Sequence, residues 1–550
     1  MVLFDDAARA LPLVGATAAA ALAYFVVKLV ARRRFYANVP CPPHSFVFGH
    51  LKLLGEYMSS MPRGGYIQQA LTQMKIDYDL PEVFYLDMWP VVDSFICFTS
   101  PEAATYPTTA NVWAIPPIVT KFFELTTGTS FIEATNGPLW KELLHRLAPA
   151  LTPTTIKAYF PHIVAQACIL RDDLAKHNKP DDEPVRIQDA IGRYPFQVIA
   201  HVIFGEPLSE DLYRETMHML EMQLTTGVQE EMFWPWKKRA HERKLRACVA
   251  RIDVELSRKV RVRFAELQQD KSLATQRIVD RMLMPQIKQG LPLDDALMQL
   301  CLSNIKGLVL AGYGTTNDTT TYIWLLLSTH PDILQKLRAE HDRVFGTDQQ
   351  ETINKLLANP SLLSSLEYTA AVINETLRLY PIGMVARQAP LNQKSAMING
   401  KVWPLLPDQI ALISGHAMHY SEQFFPDAKR FLPDRFGRGP GTNSSKTASP
   451  GASAYPRNAY RPFERGPRSC IGQALAMDEM KIQLVVLARA FDLEVTSAGV
   501  EEEIAKGKNR VMGHADMESK LGRHAYQVAS FTAGPAGTVM MKVRERPMAK

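Results

Sequence analysis

The chain has 550 residues, of which 46% are hydrophobic, 21% charged and 9% aromatic, a balance that excludes a mainly disordered, collagenous or fibrous protein. Its net charge of +6 is too small over this length to imply nucleic-acid binding, so any basic patch is local. Cys41, Cys97, Cys168, Cys248, Cys301 and Cys470 show no Cys-x-x-Cys pair and no regular spacing, which argues against a disulfide framework or zinc knuckle and for reducing surroundings. At about 100 to 200 residues per domain, length alone suggests several domains.

From Ala10 to Val27 the chain carries no charge, and Lys28, Arg32, Arg33 and Arg34 follow. An apolar helix of roughly 17 to 25 residues crosses a bilayer, and a basic cluster on its carboxyl side keeps the downstream chain cytoplasmic, with Asp5 and Asp6 luminal. The competing readings are a cleaved signal peptide and a buried core helix. A signal peptide carries its positive charges ahead of the apolar run, where only Arg9 stands here. The expectation is therefore a single transmembrane helix with a basic flank over residues 1–36, a stiff proline-rich hinge over 37–45, and a globular part over 46–550.

The apolar pattern predicts one long helix from about Pro292 to His330, followed by a second that opens at Pro331 and ends near Gly346. Asn304, Lys306, Thr315, Thr316, Asn317 and Asp318 make the first too polar for a membrane span, so it reads as the central helix of a core. Another helix is expected from Leu366 to Leu379. Asn399-Gly400, between Ser395–Ile398 and Lys401–Leu405, is a strong hairpin signal, and a second hairpin is expected around Gly534 to Gly537. Residues 439–456, rich in Gly, Ser, Thr and Pro, read as an exposed insertion. The fold class is mainly α with small β-sheets, not an alternating βα chain.

Cys470 is the residue with the clearest chemistry. It stands between turn residues just ahead of an apolar helix, where the helix dipole and free N–H groups stabilise a thiolate, as a metal ligand requires. Gly466 and Gly472 let the backbone approach a flat cofactor, and Arg468 can pair with an acidic group on it. For a lone cysteine the alternative is a structural thiol in a glycine-rich turn. Here, however, Phe463, Gly466, Arg468, Cys470 and Gly472 fill every fixed position of F-x-x-G-x-R-x-C-x-G, and the segment resembles the haem-binding signature of the cytochrome P450 family.

Further matches follow in the family's order. Glu375 and Arg378 resemble its E-x-x-R pair, which on a helix share one face, and Pro433-Asp434-Arg435-Phe436 resembles its P-x-R-F segment. The resemblance makes Glu375, Arg378 and Arg435 a structural charge network rather than catalytic groups. Ala311 to Thr316 resembles the family's oxygen-activation segment, which gives Thr315 the proton-ordering role and Gly312 the task of leaving space for a ligand. One departure stands out: the acid usually found before that Thr is Gly314. Asp318 is a conceivable substitute, but we read it as a solvated or capping carboxylate. Trp140 and Arg387 match positions that hold the haem propionates; the Arg expected four residues after Trp140 is Leu144, with His145 or Arg146 as stand-ins.

The resemblance implies one mainly helical P450 domain, so the length prior overcounts. It also implies haem b on the Cys470 thiolate, which donates electron density to iron and favours O–O cleavage. The chain shows no flavin or nicotinamide fingerprint, so the electrons are expected from NADPH through NADPH–cytochrome P450 reductase, possibly aided by cytochrome b5, with Lys141, Arg461 and Arg465 as a basic docking face. The implied activity is a monooxygenase of lipophilic small molecules at the endoplasmic reticulum membrane, resembling fungal enzymes of secondary metabolism. Expected pocket segments are Ile115 to Phe131, Leu308 to Thr315, Ile382 to Val385 and Ser530 to Gly534. The alternatives are an oxygen-independent isomerase or dehydratase, a fatty-acid or sterol hydroxylase, and a haem sensor or carrier without turnover.

Overall fold

The computed structural model describes residues 2–179, 182–228, 234–407, 409–436, 455–456, 458–496, 515–529 and 532–546. The expected insertion at 439–456 lies almost wholly outside them. The central helix runs from Asp295 to Thr329, capped by the Asp294 carboxylate, which accepts the Leu297 N–H at 2.8 Å. Its polar residues are satisfied inside the protein. The hydroxyls of Thr315, Thr319, Thr320 and Thr321 donate to carbonyls four residues back, and Asn304 bridges Ser130 and Ile132. Among the described residues this is the one helix long and apolar enough to cross a membrane, and most of it is buried in the body.

Helix Ile187–Phe204 packs across it, closest at Gly312, where a Cβ would lie 2.8 Å from Ile199. Gly312 therefore lets two helices approach, a different task from the ligand space expected of it. Pro331–Phe345 and Glu367–Leu379 follow as predicted.

The strands are β1 (Val83–Leu86), β2 (Ser94–Phe98), β3 (Val185–Arg186), β4 (Val385–Gln388), β5 (Ser395–Ile398), β6 (Lys401–Pro404), β7 (Gln409–Ile413), β8 (Phe491–Val495), β9 (Gln527–Ala529), β10 (Ala533–Pro535) and β11 (Met540–Glu545). They form a four-stranded sheet in the order β1-β2-β7-β4, with β2 and β7 parallel, a three-stranded sheet β3-β11-β8, and the hairpins β5–β6 and β9–β10. The β5–β6 turn is Asn399-Gly400, both at positive φ, as the sequence requires. The last hairpin differs from the expectation. Ala529 pairs with Ala533, so the chain reverses before Gly534, whereas Gly537, at φ 76°, only redirects it from β10 into β11.

The amino-terminal helix spans Val2–Tyr36, and Leu22, Tyr24, Val26 and Val27 on it are exposed. Its basic end is not a free flank. Arg33 is buried, pairs with the Asp87 carboxylate and donates to the carbonyls of Phe46 and Val47 at 2.7 and 2.9 Å. Arg32 is also buried and donates to Ser94 Oγ at 2.6 Å, while Tyr36 joins a cluster with Tyr85 and Trp403. The proline stretch lies along the sheet, with Pro40 accepting the Tyr85 N–H at 2.9 Å.

Burial pushes the Asp87 carboxyl up, but the His44 hydrogen bond and the charges of Arg33 and Arg32 outweigh it and hold the group below its ordinary value. Its stabilising contribution is thus complete above the unfolded carboxyl value of about 3.9 and is lost as pH falls through the lower folded value. Asp87→Asn should flatten that acid limb in thermal melts between pH 2 and 5, and an unchanged limb would contradict this account.

A second buried charge group holds the core to the segment before Cys470. Arg378 meets Glu375 through two bonds of 2.7 and 2.9 Å, and Arg435 Nε donates to the same carboxylate at 3.0 Å. The Arg378 guanidinium also donates to the carbonyls of His419, Ala428 and Arg430 at 2.7, 2.7 and 3.1 Å. His419 Nε2 accepts the Arg461 N–H at 3.0 Å, so its proton is on Nδ1, which faces the Arg378 carbonyl at 3.1 Å. Removing one partner leaves a charge in a dry site, so Arg378→Ala should cost about 3–5 kcal/mol in urea unfolding. A loss below 1 kcal/mol would contradict the network's structural role.

Candidate functional site

The Cys470 loop is closed by its own backbone: the Cys470 N–H donates to Phe463 O at 2.9 Å and the Ser469 N–H to Gly466 O at 3.0 Å. Gly466 has φ 88°, and a Cβ there would meet the Thr108 carbonyl oxygen at 2.4 Å. Glycine is needed here, but for a main-chain neighbour rather than for the approach to a cofactor. Gly472 caps helix Gln473–Leu487 and leaves open space around the sulfur, since its Cβ would be 3.8 Å from Sγ.

The Cys470 thiol has accessible surface, yet the protein packed around it raises its pKa to about 11, so the sulfur sits in a recess rather than on the outer surface. The N–H groups of Gly472 and Gln473 point at the sulfur and pull that value down, while the nearby Glu133 carboxylate raises it. A sulfur in such a cradle becomes a thiolate when a cation is placed opposite it.

Around the same recess stand Arg468, Arg387 and Glu133. Arg468 lies 4.3 Å over the Trp140 ring and donates to Thr135 O at 2.9 Å and Asn136 Oδ1 at 3.0 Å. Burial and, after it, the neighbouring Arg387 charge together lower its pKa to about 10. Arg387 is buried, donates through Nη1 to Ala386 O at 2.9 Å, and leaves its Nε without a partner. The Glu133 carboxyl, raised by burial and lowered by both guanidiniums, lies near the two, and Glu464 also acts on Arg387. One buried guanidinium with an orphaned Nε, a half-buried one beside it and a cradled sulfur close to both fit an anionic metal cofactor such as haem. His145 and Arg146 do not complete this set: His145 is exposed, and Arg146 donates to Met282 O at 3.2 Å.

On the central helix the Thr315 hydroxyl donates to Ala311 O at 2.6 Å, and its neighbour Thr316 donates to Glu479 Oε1 at 2.8 Å, which ties this helix to the one after Cys470. Burial raises Glu479 to about 8, so this carboxyl is neutral at pH 7. Asp318 is not a solvated residue. It accepts a hydrogen bond from the Thr532 hydroxyl, and burial raises its pKa to about 6. Glu133, Glu479 and His419 carry no signal in the sequence, because each depends on a partner far along the chain.

The expected docking cations separate. Lys141 is exposed, but Arg461 is buried and bonded to Glu464 and Thr108, and Arg465 folds back onto Tyr460 O. Ser530, at the edge of one expected pocket segment, lies outside the described residues; Ala533 and Gly534 are buried on β10, and the Ala533 N–H donates to Ile382 O at 3.1 Å.

The family model described as Cytochrome P450 matches residues 114–517. Among similar proteins, the cytochrome P450 monooxygenase acrF of Aspergillus aculeatus is 28% identical over 88% of this chain and 98% of its own length. The cytochrome P450 monooxygenase polC of Polytolypa hystricis is 27% identical over 93% and 91%, and ptmJ of Penicillium ochrochloron, also a cytochrome P450 monooxygenase, is 28% identical over 86% and 88%. With the thiol beside the guanidinium pair, and with the family matched over most of its length, the chain belongs to the cytochrome P450 family as an oxidoreductase of the monooxygenase type.

Proposed function

We propose that this protein is a haem-thiolate monooxygenase that inserts one oxygen atom of dioxygen into a lipophilic small molecule, in fungal secondary-metabolite biosynthesis, with electrons from NADPH through a reductase. The observation that carries this reading is the Cys470 sulfur, aimed at by two N–H groups and standing near the guanidiniums of Arg387, which is buried, and Arg468, which is half-buried. Haem supplies the activation of dioxygen when bound. Cys470 is its ligand, Arg387 and Arg468 take its propionates, and Trp140 holds Arg468 flat by stacking. Thr315 fixes a hydroxyl on the central helix. The segments expected to line the pocket are mostly apolar in sequence, which favours a lipophilic substrate.

The exposed apolar residues Leu22, Tyr24, Val26 and Val27 support a single-pass anchor in the endoplasmic reticulum membrane with the remainder cytoplasmic. In that placement the Arg33–Asp87 pair fixes the helix to the body, and Arg34 is the exposed basic residue of its flank. Gly314 favours a second reading, an oxygen-independent isomerase or dehydratase. Isotopically labelled dioxygen separates the two: label in the product supports the monooxygenase, and its absence supports the rearrangement.

The reduced, carbon-monoxide-bound absorption spectrum tests the ligand directly. A thiolate-type Soret band is expected in the wild type and its loss in Cys470→Ala; a histidine-type band in folded, haem-loaded wild type removes the assignment. Arg387→Leu should weaken haem binding by about 2 kcal/mol, some thirtyfold in a haem-transfer assay, because a charge-assisted bond is lost. Unchanged haem affinity would take Arg387 out of the site.

A further inference from the structure

Asp318 is placed as a working acid. Along the central helix Ala311, Gly312, Thr315 and Asp318 are partly accessible, while Tyr313, Gly314, Thr316, Asn317, Thr319 and Thr320 are buried. Positions 311, 315 and 318 fall on one face, and because the helix is otherwise buried, that partly accessible face borders a space inside the protein. Asp318 accepts the Thr532 hydroxyl through Oδ2, and its Oδ1 lies against Gly534, where a Cβ would come within 2.6 Å. The loop carrying Thr532 is fixed beside it, since the next residue, Ala533, donates to Ile382 O at 3.1 Å.

No cation accompanies this carboxyl. The titratable groups nearest it are the phenols of Tyr313 and Tyr322, both held well above their ordinary values by burial and so neutral. A largely desolvated acid, partly accessible on the helix face it shares with Thr315 and with one hydroxyl partner and no counter-charge among the described residues, is poised to exchange a proton near neutrality. On the same helix Gly314 offers no side chain at all, so the acid the family places there is missing.

We propose that Asp318 is the proton-supplying carboxyl of this active site, passing a proton toward the Thr315 hydroxyl along the helix face they share. The proposal rests on the monooxygenase reading, in which substrate, dioxygen, two electrons from NADPH and two protons give hydroxylated product and water. The Asp318 O–H bond breaks, Thr315 takes that proton on its oxygen while releasing its own into the space beside it, and the carboxylate regains a proton from water. Asp318 thus ends each turnover unchanged.

The test uses the full-length, haem-loaded protein with reductase and ethoxycoumarin as a lipophilic probe. Asp318→Asn should keep the thiolate-type reduced-carbon-monoxide band but lower product formed per NADPH by at least about tenfold, with hydrogen peroxide released instead. Asp318→Glu should restore part of the coupling. Independently of turnover, infrared difference spectra on acidification should show a protonated-carboxyl band in wild type that is shifted in Asp318→Glu and absent in Asp318→Asn. Wild-type coupling in Asp318→Asn overturns the proposal, as does coupling in Asp318→Glu no better than in Asp318→Asn, which would make Asp318 a clamp of fixed length. If Asp318→Asn does not load haem, an infrared band unmoved in Asp318→Glu overturns it. Loss of the thiolate-type band in wild type would instead remove the underlying reading.

Discussion

The Glu375 carboxylate takes one contact from the Arg378 guanidinium on each oxygen, and on Oε1 it also accepts Arg435 Nε and the Leu432 N–H, with almost no water nearby. A charge in such a site is tolerable only when every lone pair is used, so each of those donors is fixed as firmly as the acid itself. The Arg378 side chain extends the constraint to the carbonyls of His419, Ala428 and Arg430, and the His419 ring hands it on to the Arg461 N–H, nine residues before Cys470. The cysteine loop is therefore positioned by a chain of directional bonds that begins on a core helix. Its own sequence supplies only the turn geometry that finishes the job.

That rigidity allows an unfavourable electrostatic arrangement to persist beside it. Arg387 and Arg468 repel one another, Arg387 Nε has no acceptor, and the nearby Glu133 and Glu464 carboxylates do not bond to either guanidinium among the described residues. Left to relax in water, these groups would separate. Inside the protein the Trp140 stack and the bonds to Thr135, Asn136 and Ala386 prevent it, so the positive potential is stored for an anion arriving from outside the chain. The sulfur follows the same logic, since the N–H groups of Gly472 and Gln473 lower the cost of a thiolate that burial alone opposes.

What could be read in the sequence was what is local. The caps, proline stops and Asn399-Gly400 turn gave element limits within a few residues, and the Phe463 to Gly472 spacing located the thiol recess. Reasons for individual residues were less legible. Gly312 and Gly466 answer to Ile199 and Thr108, and Arg461 turns inward to Glu464, because contact partners far along the chain decide those environments. The basic run after the apolar segment resembled a membrane flank by charge alone, and only Asp87, more than fifty residues on, reveals where Arg33 goes. Asp318 belongs to the same class, since a polar residue on a long helix looks solvated until the hairpin behind it is known.

The four-stranded sheet connects these separate features mechanically. Tyr85 pairs with Ile96, Ile96 with Ala411 and Ala411 with Arg387, so one row of residues crosses from β1 to β4. At the β1 end Tyr85 packs edge-on against Phe35 of the amino-terminal helix, with centroids 6.0 Å apart, and Asp87 two residues later holds Arg33. At the other end Arg387 stands beside the thiol recess, roughly 15 Å away across three strand spacings. Sheets resist shear along their hydrogen-bonded rows, so the direction of the amino-terminal helix and the position of the Arg387 guanidinium are set by the same rigid unit. A helix joined through a free hinge would leave the recess with no fixed orientation relative to it; buried pairs at Arg33 and a continuous row to Arg387 remove that freedom.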